Sequence, residues 1–391
     1  MMGWRYRDTV LALCTLAFFV TMVGRLAISP VIPAITDEFS VSNATVGIAL
    51  SGMWLTYGLA QYPSGVLADR YGERVIVLAA IGGTVVFGLV LAIAPVFLAF
   101  LLGTILLGAF AGLHYSVATT LLSRTYDRVG TAVGVHNNGA TAAGLLTPVA
   151  AAWVGTRYGW RPAVALVALV GIPAFVLFAV KVEPTEPRRP DEALRNRFAV
   201  GPAAELLSRP AVAFTVGLAI VGEFAWQGLA SFLPTFLVEY QGYSTTLAGS
   251  VFAVYFLAQA PGQIAVGAAG DRFGYDTAIA GCMAAGAVGI GVLLLAPGLA
   301  AVVAAALCLG VAMSFGAALM PRFLGAMTAA ERNAGFGLVR TVYMIVASSG
   351  SVVVGALADR FGWPPTFAVL GALFVAVVVA ISLNRCFEWG Y

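Results

Sequence analysis

Long apolar runs separated by short polar turns extend over most of the chain. Runs of about 18 or more residues with few charges are typical of helices that cross a membrane. The pattern predicts an all-α membrane protein with twelve transmembrane helices, at residues 9–35, 44–66, 75–94, 97–122, 130–154, 161–181, 211–237, 245–268, 277–295, 298–320, 334–356 and 365–384.

Two of these boundaries depend on proline, because the apolar runs around them are too long for one helix. Residues 75–123 carry no Asp, Glu, Lys or Arg, and residues 277–321 present the same problem. Pro95 and Pro297 divide the two runs, since proline lacks the N–H group that a continuing helix would donate. The two prolines are 202 residues apart.

Other short sequences recur at the same separation. QYPSGVLADRYG (61–72) matches QIAVGAAGDRFG (263–274) at its Gln, Gly, Asp-Arg, aromatic and Gly positions, and TRYGW (156–160) resembles DRFGW (359–363). A repeat of six helices keeps its orientation in the membrane. We therefore predict two pseudo-symmetric six-helix bundles, at residues 1–182 and 210–391, joined by a polar linker at 183–209.

Composition agrees with this class of protein. Sixty per cent of the residues are hydrophobic and 10% are charged, against about 25% charged residues in a soluble domain. Basic residues are scattered through short loops, which is not the pattern of a nucleic-acid-binding surface. With a cytoplasmic N-terminus, sixteen of the 21 Lys and Arg residues fall in cytoplasmic segments and three in outer loops. That bias predicts a multi-pass inner-membrane protein with both termini in the cytoplasm.

The first apolar run is too long for the core of a signal peptide, and we interpret it as a retained first helix. The four cysteines show no metal-ligand spacing. We find no nucleotide-binding loop and no catalytic motif of a hydrolase or metalloprotease. We therefore expect no cofactor, no bound metal and no enzymatic activity.

The segment GVLADRYGERVIV (65–77) resembles the signature of the major facilitator superfamily. It departs from that signature at Glu73, where the family usually has a basic residue. The spans, the duplicated halves and the central loop extend the resemblance to the whole chain. The resemblance implies a monomeric transporter in which helices 1, 4, 7 and 10 line a central cavity and helices 2, 5, 8 and 11 contribute to it.

The repeated turn is the candidate gating element. Glycines allow close helix approach and a tight turn, and an acid at this place can face the positive end of a neighbouring helix. Arg70 is expected to pair with Asp127. The alternative is that the turn only fixes topology and packing. The residues assigned to gating are Gly65, Asp69, Arg70, Gly72, Asp127, Asp271 and Arg272.

Three ionisable residues fall inside predicted spans, namely Arg25, Glu223 and Arg340, and a charge at membrane depth is a candidate functional residue. Arg25 offers a planar fork of donors that fits a carboxylate or phosphate. Helix 1 also resembles anion-transporting branches of the family, which implies a small organic anion, most simply a carboxylate, at Arg25. The alternative is that Arg25 pairs with Glu223 for structure alone.

Protons are the candidate coupling ion. Glu223 could take up or release a proton when the substrate competes with it for Arg25. The alternative is that Arg25 and Glu223 form a fixed ion pair. His114 is a second candidate proton carrier, with a hydrogen-bonded packing histidine as the alternative. His136 could also carry protons, with a capping residue close to the cytoplasmic end of its helix as the alternative.

Further polar residues are candidates for substrate contact. Gln227 is the repeat partner of Arg25, and Asn137 is the repeat partner of Arg340, which could instead extend toward the cytoplasm. The set proposed to contact substrate is Arg25, Tyr57, His114, Asn137, Gln227, Tyr255, Gln259 and Arg340. Each aromatic or amide residue in this set is equally compatible with packing.

Two absences argue against exchange of drugs for protons. Predicted helix 4 lacks the arginine of the proton-antiport branches, and helix 5 lacks their glycine-proline pattern. Efflux of neutral or cationic compounds and a non-transporting membrane sensor remain the alternative functions. The glycines at 108, 112, 130 and 134 are expected to let helices approach closely.

Overall fold

The computed structural model describes residues 5–126, 129–187, 205–328 and 332–388. These residues form α-helices and connecting turns, with no β-strand in the described ranges. They group into two compact units, the first containing residues 1–41 and 48–199 and the second containing residues 42–47 and 200–391. Most of the predicted linker lies outside the described residues.

In the N-terminal half, the described residues up to Lys181 form eight α-helices. They are α1 (Tyr6–Leu26), α2 (Ile32–Phe39), α3 (Asn43–Tyr71), α4 (Glu73–Ala92), α5 (Phe97–Gly112), α6 (His114–Thr125), α7 (Val129–Tyr158) and α8 (Trp160–Lys181). A short 3-10 turn, Ser29–Val31, separates α1 from α2.

The described residues from 210 onward form eight further helices. They are α9 (Pro210–Glu239), α10 (Thr245–Phe273), α11 (Tyr275–Leu295), α12 (Leu299–Ala312), α13 (Gly316–Gly325), α14 (Arg332–Ala347), α15 (Gly350–Phe361) and α16 (Trp363–Cys386). The breaks predicted at Pro95 and Pro297 are confirmed, because α4 and α11 end before them and α5 and α12 begin after them.

Ten helical segments in the described residues are long and apolar enough to cross a membrane. Helices α3 and α7 lie over two further predicted spans but are not among the ten. The chain is therefore a multi-pass membrane protein, with at least these ten segments meeting the requirement of length and composition.

Four of the predicted continuous spans are interrupted. Breaks separate α1 from α2, α5 from α6, α12 from α13, and α14 from α15. The break after α5 places His114 at the first position of α6, and the break after α1 follows Arg25 by one residue. Interrupted helices are common where membrane transporters bind their substrates.

The same helix pairs pack together in each half. Helix α4 contacts α5 and α8, as α11 contacts α12 and α16, and α1 contacts α7, as α9 contacts α14 and α15. Since these pairs follow the 202-residue repeat, the duplicated sequence produces a duplicated arrangement of helices. Each unit keeps its own apolar core.

The start of α3 groups with the second unit through a specific contact. The Asp359 carboxylate accepts hydrogen bonds from the backbone N–H groups of Asn43 (3.1 Å) and Ala44 (2.7 Å). A carboxylate at a helix N-terminus satisfies free donors and complements the positive end of the helix dipole. This contact explains why residues 42–47 separate from the rest of the predicted N-terminal bundle.

The repeated Gly-Trp sequences form equivalent contacts. Trp160 Nε1 donates to the Glu38 carboxylate at 2.5 Å, and Trp363 Nε1 donates to the Glu239 carboxylate at 2.9 Å. Each contact ties the start of the sixth predicted span of a half to the end of its first. In the first half Arg161 adds an ion pair to Glu38 at 2.8 Å.

Candidate functional site

Arg25 lies near the end of α1, in the first unit, and its side chain is only 3% exposed. Its Nε donates to the Thr21 carbonyl at 3.1 Å, and its Nη2 contacts the Met22 sulfur at 2.8 Å. Both partners lie on α1 within four residues, so the helix itself holds the guanidinium close to its own surface.

Two aromatic rings from α3 lie against the Arg25 guanidinium. Its central carbon is 4.1 Å from the ring centre of Tyr57 and 5.1 Å from that of Trp54. Trp54 and Tyr57 are three residues apart and therefore share one face of α3. A guanidinium over an aromatic face gains cation–π stabilisation, which offsets part of the cost of burying its charge.

Glycines on α5 fix the position of these two rings. A methyl group added at Gly108 would collide with the Met53 carbonyl, and one added at Gly112 would collide with the Tyr57 carbonyl. The expected close helix approach at these two glycines is confirmed. It brings α5 against the backbone of α3 and sets the depth at which Trp54 and Tyr57 meet Arg25.

No carboxylate among the described residues forms an ion pair with Arg25. A buried cation without a carboxylate is costly. The aromatic rings and backbone carbonyl supply partial compensation, and an anion bound at the guanidinium would supply the rest.

His114 and His136 form a buried pair in the same unit. Their Nε2 atoms are 3.0 Å apart, and both side chains are 0% exposed. The interpretation of His136 as a capping residue is wrong, because it lies seven residues inside α7 and is hydrogen-bonded to His114 of α6. Nothing in the local sequence indicates that these two helices bring the rings together.

Glu223 lies in the second unit, where the cation acting on its carboxyl is Arg340. Tyr255 also lies within electrostatic range of Glu223. These residues come from α9, α10 and α14, so the second unit collects polar side chains of its own.

Two of these side chains have unsatisfied polar atoms. Gln227 is 0% exposed, and within the described ranges neither its amide oxygen nor its nitrogen has a hydrogen-bond partner. The Tyr255 hydroxyl is in the same state. Buried polar groups are nearly always hydrogen-bonded, so these atoms are suited to a polar ligand.

The other residues predicted to contact substrate differ in whether their polar atoms already have hydrogen-bond partners. The Gln259 amide already donates to the Met313 carbonyl at 3.1 Å, which occupies one of its hydrogens in packing α10 against α12. The Asn137 side-chain oxygen is buried without a partner in the described structure. Asn137 belongs to the first unit and Arg340 to the second.

The residues assigned to gating have mixed surroundings. Gly72 has φ +85°, a conformation that favours glycine, and a methyl group there would collide with the Thr185 carbonyl. Gly65 differs from the expectation, because an added methyl group would meet no heavy atom within 4 Å among the described residues. Asp69 is half-buried.

The arginines of the two repeated turns lie over aromatic rings. Arg70 is 5.5 Å from the ring of Tyr71, and Arg272 is 5.1 Å from the ring of Phe273. Asp127, the expected partner of Arg70, lies outside the described residues. Asp271 accepts a hydrogen bond from the Tyr275 hydroxyl at 3.1 Å.

An ion pair lies beside each of the two repeated turns, and the sequence patterns did not predict it. Glu73 pairs with Arg124 at 2.9 Å, and Asp276 pairs with Arg322 at 2.5 Å. Each acid lies at the start of the helix that follows the repeated turn. Glu73 is therefore the counterpart of Asp276 in the repeat. The separation of 203 residues between these two acids is the sequence feature from which the duplicated ion pair could have been predicted.

No cluster of three or more His, Cys, Asp or Glu side chains that could hold a metal ion occurs in the described part of the chain. A cavity of about 390 Å³ in the second unit is lined by residues that include Tyr275, Asp276 and Arg322. Since its charged side chains are already paired with each other, it offers less to an anion than Arg25 does.

Comparison with known proteins identifies the family. The profile of the Major Facilitator Superfamily matches residues 14–254 and 218–386. A hexuronate transporter of Bacillus subtilis (strain 168) is 23% identical over 59% of this chain, and the match spans 56% of that transporter. The multidrug resistance protein MdtG of Citrobacter koseri is 26% identical over 70% of this chain and 68% of its own length.

A third relative is the membrane sensor protein UhpC of Escherichia coli (strain K12), which is 24% identical over 40% of this chain and 37% of its own. The relatives thus include two kinds of transporter and a sensor.

Solved structures show the same fold over nearly the whole chain. A bacterial homologue of the human lysosomal transporter Spinster, inward-facing and unoccupied, superimposes with a TM-score of 0.79 at 17% identity over 98% of this chain and 96% of its own. The nucleoside transporter NupG superimposes with a TM-score of 0.81 at 12% identity over 97% and 99%. The profile match and this likeness lead to one conclusion: the chain belongs to the major facilitator superfamily.

Proposed function

We propose that this protein transports a small organic anion, a carboxylate, across the cell membrane, and that Arg25 binds the carboxylate group. The single observation that carries the proposal is the buried Arg25 guanidinium, for which no described carboxylate forms an ion pair. A carboxylate ligand would convert an uncompensated buried charge into a charge-assisted pair, which is among the strongest polar contacts in proteins.

The aromatic residues support binding of a planar anion. Tyr57 and Trp54 lie against the guanidinium of Arg25 and restrict its orientation. A restricted fork of N–H donors loses less freedom when it binds a carboxylate than a flexible ammonium group would. Replacing Arg25 by Lys is therefore not a conservative change here.

Residues of the second unit are proposed as hydrogen-bonding partners of the substrate. The Gln227 amide and the Tyr255 hydroxyl are buried with unsatisfied polar atoms, and hydroxyl groups on a substrate would satisfy them. We assign the same role to Asn137, whose side-chain oxygen is also unsatisfied. Arg340, His114 and Gln259 remain candidate contact residues.

The proposed transport cycle is alternating access across twelve spans, with both termini in the cytoplasm. The repeated turns, with Asp69 and Asp271, are proposed to form contacts that differ between the two end states of the cycle. Protons are the proposed coupling ion, and Glu223 is one candidate carrier. The likeness to a hexuronate transporter supports a sugar acid as the first compound to test.

Efflux of neutral or cationic compounds is the second candidate, favoured by the similarity to the multidrug resistance protein MdtG. A sensor without transport activity is the third, favoured by the similarity to UhpC. Each alternative differs from carboxylate transport in a testable way. Efflux of neutral or cationic compounds needs no carboxylate on the substrate, and a sensor moves no substrate across the membrane.

The deciding experiment measures ligand-dependent thermal stability of the detergent-purified protein. Glucuronate and glucose form a matched pair, because they share the sugar ring and differ in the carboxylate. A ligand at 100 times its Kd stabilises the folded state by roughly 2.7 kcal/mol, which raises the melting temperature by several degrees. Lactate, phosphate esters and cationic dyes complete the panel.

We expect stabilisation by one class of carboxylate, none by its neutral counterpart, and loss of the effect in Arg25→Gln. Arg157→Gln is the matched control, because Arg157 is exposed and lies over the ring of Trp153. Stabilisation only by neutral or cationic compounds, unchanged in Arg25→Gln, would reject the carboxylate assignment. Binding without uptake into proteoliposomes would instead favour the sensor.

A further inference from the structure

We propose that His114 and His136 together bind one proton, and that uptake of this proton is coupled to occupation of Arg25 by an anion. The anion part rests on the function proposed above. The proton part rests on the geometry of the first unit alone, and it joins two histidines that the sequence treats as separate candidates into one site.

The contact between the two rings fixes how many protons the neutral pair holds. The Nε2 atoms are 3.0 Å apart, which is a hydrogen-bond distance, so one Nε2 carries a hydrogen and the other accepts it. The donor ring then has a bare Nδ1, and the acceptor ring carries its hydrogen on Nδ1. The neutral pair therefore has one open site for a further proton.

An added proton binds at that bare Nδ1 without breaking the contact. The donor ring becomes an imidazolium and continues to donate its Nε2–H to the second ring, so the pair gains one proton and one positive charge. Neither the His114 Nδ1 nor the His136 Nδ1 has a hydrogen-bond partner among the described residues. The receiving nitrogen is thus not occupied by another donor.

Phe18 provides a surface that favours the charged form. Its ring is stacked on His136 with centres 4.9 Å apart and an interplanar angle of 7°, and it lies 5.6 Å from His114 at 27°. The face of an aromatic ring attracts a cation. The ring of Tyr115 lies 5.8 Å from that of His136. The pair is therefore enclosed by aromatic groups rather than by water.

Arg25 opposes protonation of this pair. Phe18, which stacks on both histidine rings, and Arg25 are seven residues apart on α1, which is about two turns on one side of the helix and a rise of about 10 Å. Two positive charges at this separation in a buried setting repel each other. An anion bound at Arg25 removes the repulsion, so anion and proton each favour the binding of the other by the same factor.

The other described ionisable groups near the histidine pair do not take over the electrostatic role of Arg25. Cys14, on α1, carries a buried thiol. On α4, which packs against α6, the Glu73 carboxylate is paired with Arg124. At the end of α6, Tyr126 donates to Asp8 of α1 at 3.2 Å. The remaining titratable or charged groups described on α1, α4 and α7 are Tyr6, Arg7, Arg74, Arg157 and Tyr158, and α8, which packs against α7, carries Arg161 and Lys181.

The experiment uses the fact that the chain contains only two histidines. The full-length protein, carrying a purification tag without histidine, is labelled with ¹⁵N-histidine and placed in phosphatidylcholine nanodiscs. Every imidazole signal then comes from the pair, and its protonation is followed by NMR as a function of pH. No substrate is required.

We expect both rings to titrate together in a single one-proton step. In Arg25→Gln, which removes the opposing charge as a bound anion would, the midpoint of this step should rise by about one pH unit. Arg25→Lys keeps the charge and should leave the midpoint near that of the natural protein. Arg157→Gln is the control, because Arg157 is 21 residues beyond His136 on α7, or about 30 Å along the helix.

Rings that titrate independently, or that stay neutral in both the natural protein and Arg25→Gln, overturn the proposal. Equal midpoints in these two proteins overturn it as well. Should Arg25→Gln not fold, Phe18→Leu provides the second test, since loss of the aromatic face should lower the midpoint and an unchanged midpoint would count against the pair.

The result separates this inference from the function on which it rests. A coupled titration with no carboxylate that stabilises the protein would reject the substrate class and leave the proton site intact. Carboxylate stabilisation that depends on Arg25, with no change of midpoint in Arg25→Gln, would reject the proton site and leave the substrate class intact.

Discussion

The ion pair between Glu73 and Arg124 gives the most quantitative prediction. Two hydrogen-bonding distances join them, since Arg124 Nη1 lies 2.9 Å from one carboxylate oxygen of Glu73 and 3.1 Å from the other. The two side chains differ in burial, with 2% of Glu73 and 31% of Arg124 exposed. The perturbations are Glu73→Gln, Arg124→Gln and the double substitution.

This difference in burial predicts unequal costs. At 2.9 Å and an effective dielectric constant of about 20, two unit charges attract by roughly 5–6 kcal/mol before the cost of desolvation is subtracted. Arg124→Gln leaves the Glu73 carboxylate buried and unpaired, which costs about 3 kcal/mol. Glu73→Gln leaves an arginine that reaches solvent, and it should cost about 1 kcal/mol.

The assay is thermal unfolding of the four purified proteins in detergent. Each kcal/mol corresponds to a shift of roughly 2–4 °C for a domain of this size, so Arg124→Gln should melt well below Glu73→Gln. The double variant should melt near Glu73→Gln, because the unpaired carboxylate is then removed. Arg360→Gln, at an exposed position over the ring of Phe361, is the control.

Two outcomes would refute this reasoning. Equal melting temperatures for the two single variants would mean that burial of Glu73 does not control the cost. Additive losses in the double variant would mean that the two side chains do not interact energetically, since coupling appears as non-additivity.

Three further predictions concern other contacts. Trp363→Phe removes the hydrogen bond to Glu239 and should cost about 1–2 kcal/mol in thermal unfolding, whereas Glu239→Gln keeps an acceptor and should cost less; the opposite order would contradict the contact. Gly108→Val should destabilise by roughly 1–3 kcal/mol because of the collision with α3, while Gly134→Val, with no described atom within 4 Å of an added methyl group, should be tolerated; equal effects would refute the packing argument. Cys386 is exposed, so a membrane-impermeant maleimide should modify it in inside-out vesicles and not in intact cells if the C-terminus is cytoplasmic, and Cys386→Ser should abolish the signal; labelling in intact cells would reverse the proposed orientation.

The helices and the duplication follow from local properties of the sequence. Apolar runs must become helices in a membrane because each helix satisfies its own backbone hydrogen bonds. Pro95 and Pro297 fall at breaks between helices, where the missing N–H of proline removes a donor that a continuing helix would need. The residue type alone does not decide this, because other prolines lie inside helices, namely Pro63, Pro148, Pro173, Pro234, Pro261 and Pro321. The repeated Gly-Trp and Asp-Arg sequences likewise predicted matching turns in the two halves.

The interruptions within helices and the exact neighbours of each glycine were harder to predict. The close approach expected at Gly108 is present, whereas no described heavy atom lies within 4 Å of a methyl group added at Gly134. A glycine permits a close approach but does not create one, because the neighbouring helix must also lie there. The break that places His114 at the start of α6 similarly has no proline to announce it.

The chemistry of the candidate site was decided by tertiary structure. Sequence singled out Arg25 by its charge, but only the packing of α3 against α1 places Trp54 and Tyr57 beside it. Only the packing of α6 against α7 joins His114 to His136 across 22 residues of sequence. In a membrane helix the lipid-facing and core-facing sides are both apolar. The pattern of residues therefore reveals that a helix exists but not which way it is turned, and the rotation of each helix determines which polar side chains meet.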